Sequence, residues 1–282
     1  MRIFKQILNF YINSSIHVGL SCYALVRMTQ YMFHIPSDES VANFAFFGTI
    51  MGYNFVKYDA LTRTHKLELR KELKLIILFS FCSFLLAGYY FFQLQRIVQV
   101  ISVAFLGILL LYTLPFFPNK KNARNWAGVK IYIVALCWVG VTIILPLLNA
   151  NVSVGSDFYF KCMQRFILIF VLVLVFEIID LKNDDPHLQT VPQQIGVKYT
   201  KILGYILLII FCGLEFFNSH INGSFQSVPL QLVLIFVVAI VVALFLAFAN
   251  ENRSKYYTSF WVESIPIFWW LLVVLAFKFN YW

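Results

Sequence analysis

Four carboxylic acids, Glu177, Asp180, Asp184 and Asp185, fall within nine positions of the stretch EIIDLKNDDPHLQTVPQQIG (177–196), directly behind the uncharged run FILIFVLVLVF. At 3.6 residues per turn, Asp180 lies about 300° and Asp184 about 340° around the helix from Glu177, so three acids share a sector of about 60°. Carboxylates held that close repel one another and raise one another's pKa unless a cation sits among them. Mg2+ fits such a set, because it takes hard oxygen ligands and keeps positions open for water or a phosphate. A solvated helix end whose acids pair with Lys182 and Lys198 accounts for the same pattern, and spacing alone leaves both readings open.

Composition decides what carries these acids. Of 282 residues, 61% are hydrophobic and 12% charged, with 31 Phe, 15 Tyr and 6 Trp. That balance lies outside the range of soluble globular chains and belongs to an integral membrane protein. Apolar windows of about 20 residues, the length a helix needs to cross about 30 Å of hydrocarbon, recur at 13–34, 41–57, 75–93, 96–114, 128–148, 162–180, 200–218, 229–249 and 259–279. The expected fold is all-α and polytopic, with nine transmembrane helices. The connectors, among them IPSDES, FFPNKKNARN and NSHINGSFQSVP, are short and rich in turn residues, so residues 1–282 are expected to form a single transmembrane domain.

Charge sets the expected orientation. Of the 22 Lys and Arg, only Arg27, Arg96, Lys161, Arg165 and Lys278 fall on the far side if the N-terminus is cytoplasmic. By the positive-inside rule the N-terminus is therefore cytoplasmic and the C-terminus outside, in the plasma (inner) membrane if the source is bacterial. The net charge of +9 reads as topology and attraction to anionic membrane lipids, with no nucleic-acid partner. MRIFKQILNF starts like a signal peptide but no small-x-small cleavage site follows, so the first segment is expected to stay as a span. Cys22, Cys82, Cys137, Cys162 and Cys212 are scattered through apolar segments without CxxC spacing and read as small buried hydrophobes.

With its acids placed at the cytoplasmic end of the sixth span, EIIDLKNDDPHLQTVPQQIG resembles the second aspartate-rich motif of the UbiA-type intramembrane prenyltransferases. That motif runs roughly D-x-x-D-x-x-x-D, followed a few residues on by T-L-P and a glycine. Glu177, Asp180 and Asp184 fall at the acidic positions, and Thr190, Val191, Pro192 and Gly196 follow as the remainder. The acid-to-Thr spacing is one residue short, and the basic residue the family often has after the last acid is absent. YTLPFFPNKKNARNW (112–126) is similar to the family's tyrosine-containing loop after the fourth span. The resemblance covers most of the chain and implies two four-helix groups plus a ninth helix.

The family's first motif, N-D-x-x-D-x-x-x-D, closes the second span, where this chain reads GYNFVKYDALTRTHK (52–66). Asn54 is in place, but Phe55, Tyr58 and Thr62 stand at the acidic positions. Asp59 comes one residue late, about 140° around a regular helix from Asn54. The resemblance implies transfer of an isoprenoid group from a prenyl diphosphate to an aromatic or other lipophilic acceptor, with Mg2+ as cofactor. It implies Asp180, Asp184 and Glu177 as metal ligands, and Asn54, Asp59, Lys57, Tyr112, Lys120 and Lys121 on the substrate side.

The alternatives are a catalytically inactive UbiA-like lipid-binding protein and a polytopic transporter. A transporter would use intramembrane ionisable groups such as Arg27 and Glu215. Both sit near outer span boundaries, where snorkelling explains them. Glu251 and Glu263 are expected to pair with Arg253 and Lys255.

Overall fold

The computed structural model describes residues 2–64, 71–114, 128–221 and 228–279. Apolar runs fold as helices because hydrocarbon offers no partner to a backbone N–H or C=O, so each segment must satisfy its own. In chain order these are α1 (Arg2–Asn13), α2 (Ile16–Met32), α3 (Glu39–Thr64), α4 (Lys71–Phe91), α5 (Arg96–Thr113), α6 (Lys130–Val139), α7 (Leu145–Asn149), α8 (Ser156–Asp180), α9 (Val191–Ile221), α10 (Val228–Phe248) and α11 (Ile265–Phe279). A π-helical turn, Gly140–Ile144, joins α6 to α7, and a second, Tyr257–Val262, leads into α11. Among the described residues there is no strand.

Among the described residues seven rods, Glu72–Phe91, Arg96–Thr113, Lys130–Asn149, Ser156–Asp180, Val191–His220, Leu230–Phe248 and Tyr257–Ala276, are long and apolar enough to cross a membrane. The protein is thus an all-helical, multi-pass membrane protein. α2 and α3 coincide with the first two expected spans but lie outside that set. α2 has only 17 residues, and α3 carries Glu39, Asn43, Asn54, Lys57 and Asp59 along its 26 residues. α1 is a separate short helix that leaves Ile3 and Phe4 each 73% exposed beside Lys5, the pattern of a helix lying in a membrane interface.

α8 is the hub. Of its apolar window 72% is buried, against 17% for Glu72–Phe91, and Leu168, Leu174 and Ile178 are wholly enclosed among α6, α9 and α10. The N-terminal helices form a second cluster around Cys22, Val26, Val41, Ala42 and Val98. Gly140 is required at the contact between α5 and the π-turn: a Cβ there would lie 1.9 Å from the Phe105 ring.

Several polar groups inside the bundle are paired. Lys161 on α8 bonds Glu215 on α9, whose side chain is 1% exposed, and Gln164 Nε2 donates to the same carboxylate at 2.9 Å. Glu215 therefore does not snorkel as expected; its cation is built into the neighbouring helix. Arg165 is also buried, donating to Thr142 Oγ1 at 2.8 Å and lying 5.8 Å from the Trp269 ring centroid. Arg27 pairs with Glu39 at 2.9 Å near the surface.

Candidate functional site

The loop from α8 to α9 is folded around its own acids. After Asp180 the chain continues for one more turn, in which Asp184 N–H donates to the Asp180 carbonyl at 2.9 Å. Asp184 thus keeps nearly the helical phase that places it beside Asp180. Asp185 turns away and accepts from His187 N–H at 2.9 Å, opening the 3-10 turn Pro186–Leu188. Thr190 starts α9, its N–H donating to Gln193 Oε1 at 2.9 Å in the Thr-x-x-Gln arrangement that caps helix starts. Glu177 is 2% exposed and accepts the Val191 N–H at 3.0 Å, so the acidic motif and the Thr-Val-Pro motif are joined by one bond. Gly196, at φ 78°, kinks α9 one turn later, in a backbone region that favours glycine.

Two oxygens in this loop are buried without a hydrogen-bond partner: Asp184 Oδ2 and Thr190 Oγ1. A buried carboxylate oxygen left unpaired is costly and marks a place for a cation. Lys182 does not supply it, because its ammonium bonds Glu251 at 3.1 Å and Asn252 Oδ1 at 2.7 Å. Lys130, which begins α6, lies within electrostatic reach of Glu177, as does Asp184. Among the described residues no group of three His, Cys, Asp or Glu side chains is close enough to hold a metal ion by itself. The donor set suits Mg2+ shared with a phosphate, since that ion commonly takes one or two carboxylates and completes its shell with substrate oxygens.

The opposite side is built differently. Asn54 is 3% exposed, and its amide is spent on the break between α1 and α2: Nδ2 donates to the Ser14 carbonyl (2.9 Å) and Ser80 Oγ (2.8 Å), while Oδ1 accepts from Ser15 (2.7 Å). Ser15 needs this brace because it stands at φ 60°. Tyr58 and Lys57 both donate to the Asn13 carbonyl, at 2.8 Å and 3.3 Å. Asp59 lies within α3, one residue after Tyr58. Lys120 and Lys121 lie outside the described residues. Tyr112, near the end of α5, is 7% exposed and lies within electrostatic reach of Tyr53.

A third group was not singled out from the sequence. Tyr53 accepts from the Trp138 indole N–H at 3.0 Å and lies within electrostatic reach of Glu263, Cys22 and Tyr112. Those partners come from α6, the segment before α11, α2 and α5, so Tyr53 points into the bundle; it nevertheless keeps 37% of its surface accessible, which therefore faces an internal space. Glu263 also acts on Lys57. Outside the spans, burial first and Glu263 second hold the Tyr11 phenol above its ordinary pKa. The expected partners of Glu263 lie elsewhere: Arg253 stacks on Tyr257 and donates to the Phe248 carbonyl, and Lys255 lies over Tyr256. The π-turn is the reason. Glu263 N–H reaches back five residues to the Thr258 carbonyl at 3.1 Å, and the inserted residue rotates the downstream helix by about 100°. No hydrophobic period announces such an insertion.

The fold is that of UbiA prenyltransferase homologues. A UbiA homolog from Aeropyrum pernix K1 superposes with a TM-score of 0.65 at 11% identity, over 95% of this chain and 99% of that one. A UbiA homolog from Archaeoglobus fulgidus bound to GPP and Mg2+ gives 0.63 at 13% identity, over 95% and 99%. A digeranylgeranylglyceryl phosphate synthase gives 0.54 at 15% identity, over 97% of each chain. No family model and no curated protein matches the sequence.

Proposed function

We propose that the chain is an intramembrane prenyltransferase that moves an isoprenoid group from a prenyl diphosphate to an aromatic or other lipophilic acceptor with Mg2+. The observation that carries this reading is the buried, unpartnered Asp184 Oδ2 at the acidic loop of a chain with the UbiA fold. Two neighbours of that fold are bound to GPP or DMAPP with Mg2+. In this reading nine helices, two groups of four and a ninth, make one domain over residues 1–282. The acidic loop opens to the cytoplasm, with the N-terminus on that side and the C-terminus outside, in the plasma (inner) membrane if the source is bacterial.

Asp180 and Asp184 would hold the metal, with Glu177 behind them fixing the start of α9. Mg2+, when bound, neutralises the diphosphate as it leaves. Lys57, Lys120 and Lys121 add positive charge for the same group, Asn54 holds the α1–α2 break that places Lys57, and Asp59 and Tyr112 line the substrate side. The water-poor interior strengthens each of these charges. Phe55 and Tyr58 at acidic positions favour a second reading, a lipid-binding protein that has lost the reaction.

Incubation of the purified protein in lipid nanodiscs with labelled farnesyl or geranylgeranyl diphosphate and Mg2+ tests both. A prenyltransferase releases diphosphate and loses that activity in Asp180→Asn and Asp184→Asn. No turnover in any form, with a prenyl chain still bound, leaves the second reading.

A further inference from the structure

We infer that Glu263 is the group that receives the acceptor's proton, at a binding site for a hydroxyl-bearing acceptor formed with Lys57 and Tyr53; the inference rests on the prenyltransferase reading. Among the described residues the interior holds three glutamates whose surroundings differ. Glu177 is tied to the Val191 N–H, and Glu215 is closed off by Lys161 and Gln164. Among the described residues the Glu263 carboxylate has no hydrogen bond and no ion pair, although Lys57 lies within electrostatic reach. The two are therefore apart by more than a contact, and Tyr53 lies within electrostatic reach of the same carboxylate.

A second observation singles out the same place. The described residues contain two π-helical turns. One begins two residues after Trp138, which bonds Tyr53, and the other ends immediately before Glu263, which lies within electrostatic reach of Tyr53. π-Turns distort a helix at a cost and are concentrated at functional positions. Here they flank an indole bonded to Tyr53 and a carboxylate within its electrostatic reach, from two helices. Ser21 Oγ donates to the Glu263 carbonyl, and His17 Nε2 lies 2.9 Å from the Phe260 carbonyl, so α2 clamps the distorted turn in position.

The chemistry such a place performs is removal of an O–H proton. The C1–O bond of the prenyl diphosphate breaks with its electron pair leaving on the diphosphate. A lone pair on the acceptor oxygen forms the new O–C1 bond, and the proton of that oxygen passes to Glu263, which later returns it to water. Lys57, within electrostatic reach of Glu263, adds positive charge for the leaving group.

The test uses the whole chain in nanodiscs with labelled farnesyl diphosphate and Mg2+, with water and 4-hydroxybenzoate as hydroxyl-bearing probes. For Glu263→Gln the expected result is farnesyl diphosphate affinity within about twofold of wild type and roughly 100-fold slower formation of farnesol or farnesylated phenol. Glu263→Asp, which keeps the carboxylate, is expected to recover part of the rate. Glu251→Gln, at the surface, serves as the unaffected control. Normal binding with an undiminished rate in Glu263→Gln overturns this inference and leaves the prenyltransferase reading standing. A wild-type protein that binds farnesyl diphosphate and yields neither product overturns the inference, and one that does not bind it overturns both. If Glu263→Gln loses rate only through a lower thermal midpoint, and Glu263→Asp is as slow, a structural role replaces the proton transfer.

Discussion

The Glu177 carboxylate accepts the Val191 N–H at 3.0 Å, joining the end of α8 to the start of α9 across the loop that carries Asp180 and Asp184. Val191 is the first residue of α9, whose leading N–H groups have no partner within the helix. Glu177→Ala leaves that N–H buried and unpaired, and is expected to cost about 1 to 2 kcal/mol. Glu177→Gln retains an acceptor oxygen and is expected to unfold within about 1 °C of wild type. Thermal unfolding in detergent measures both, and equal losses would show that charge rather than the bond matters.

Asn54 holds three partners from two other segments. Its replacement by Ala strips Ser15 Oγ, Ser80 Oγ and the Ser14 carbonyl of a partner at once. The expected loss is about 2 kcal/mol, with looser attachment of α1. Protease cleavage between α1 and α2 in Asn54→Ala, absent in wild type, is the readout.

Lys161 and Glu215 form a buried pair, and removal of one member strands the other. Glu215→Leu alone is expected to lose about 3 kcal/mol, whereas the double change Lys161→Met with Glu215→Leu recovers most of it. Denaturation of the three variants closes the cycle. A double variant as unstable as the single one would show that the charges are required by function or packing of another kind.

Gly196 at φ 78° is a position where a Cβ meets no neighbour and only the backbone objects. Gly196→Ala is therefore expected to cost about 1 to 3 kcal/mol, because φ 78° with ψ 158° is a combination essentially confined to glycine. Gly196→Asn is expected to cost about as much, because Asn tolerates positive φ at ψ of about +45° and not here. Thermal midpoints of the two variants check this, and an Asn variant as stable as wild type would contradict it.

The apolar rods were legible in the sequence because length and hydropathy are local properties, and each expected span overlaps a helix. The acidic loop was legible for the same reason: Glu177, Asp180 and Asp184 share a face by spacing alone, and the chain past Asp180 keeps that phase. What the spacing did not carry was partnership. Glu215 found Lys161 on another helix, Asn54 found Ser14 and Ser80, and Lys182 found Glu251. Each depends on which helices touch. The first expected span, 13–34, ran across the break at Ser14 and Ser15 because nothing in INSSIH announces a break held from α3. Glu263 escaped because its direction depends on one extra residue in a π-turn, which hydrophobic periodicity does not register.

The most direct measurement is equilibrium binding of farnesyl diphosphate to the wild-type protein and to Asp184→Asn, with and without Mg2+. The predicted result is Mg2+-dependent binding by wild type that weakens at least about tenfold, about 1.4 kcal/mol, in Asp184→Asn. Wild-type binding indifferent to Mg2+, or equal affinity in the two proteins, would contradict the assignment of Asp184 as the anchor of the diphosphate site.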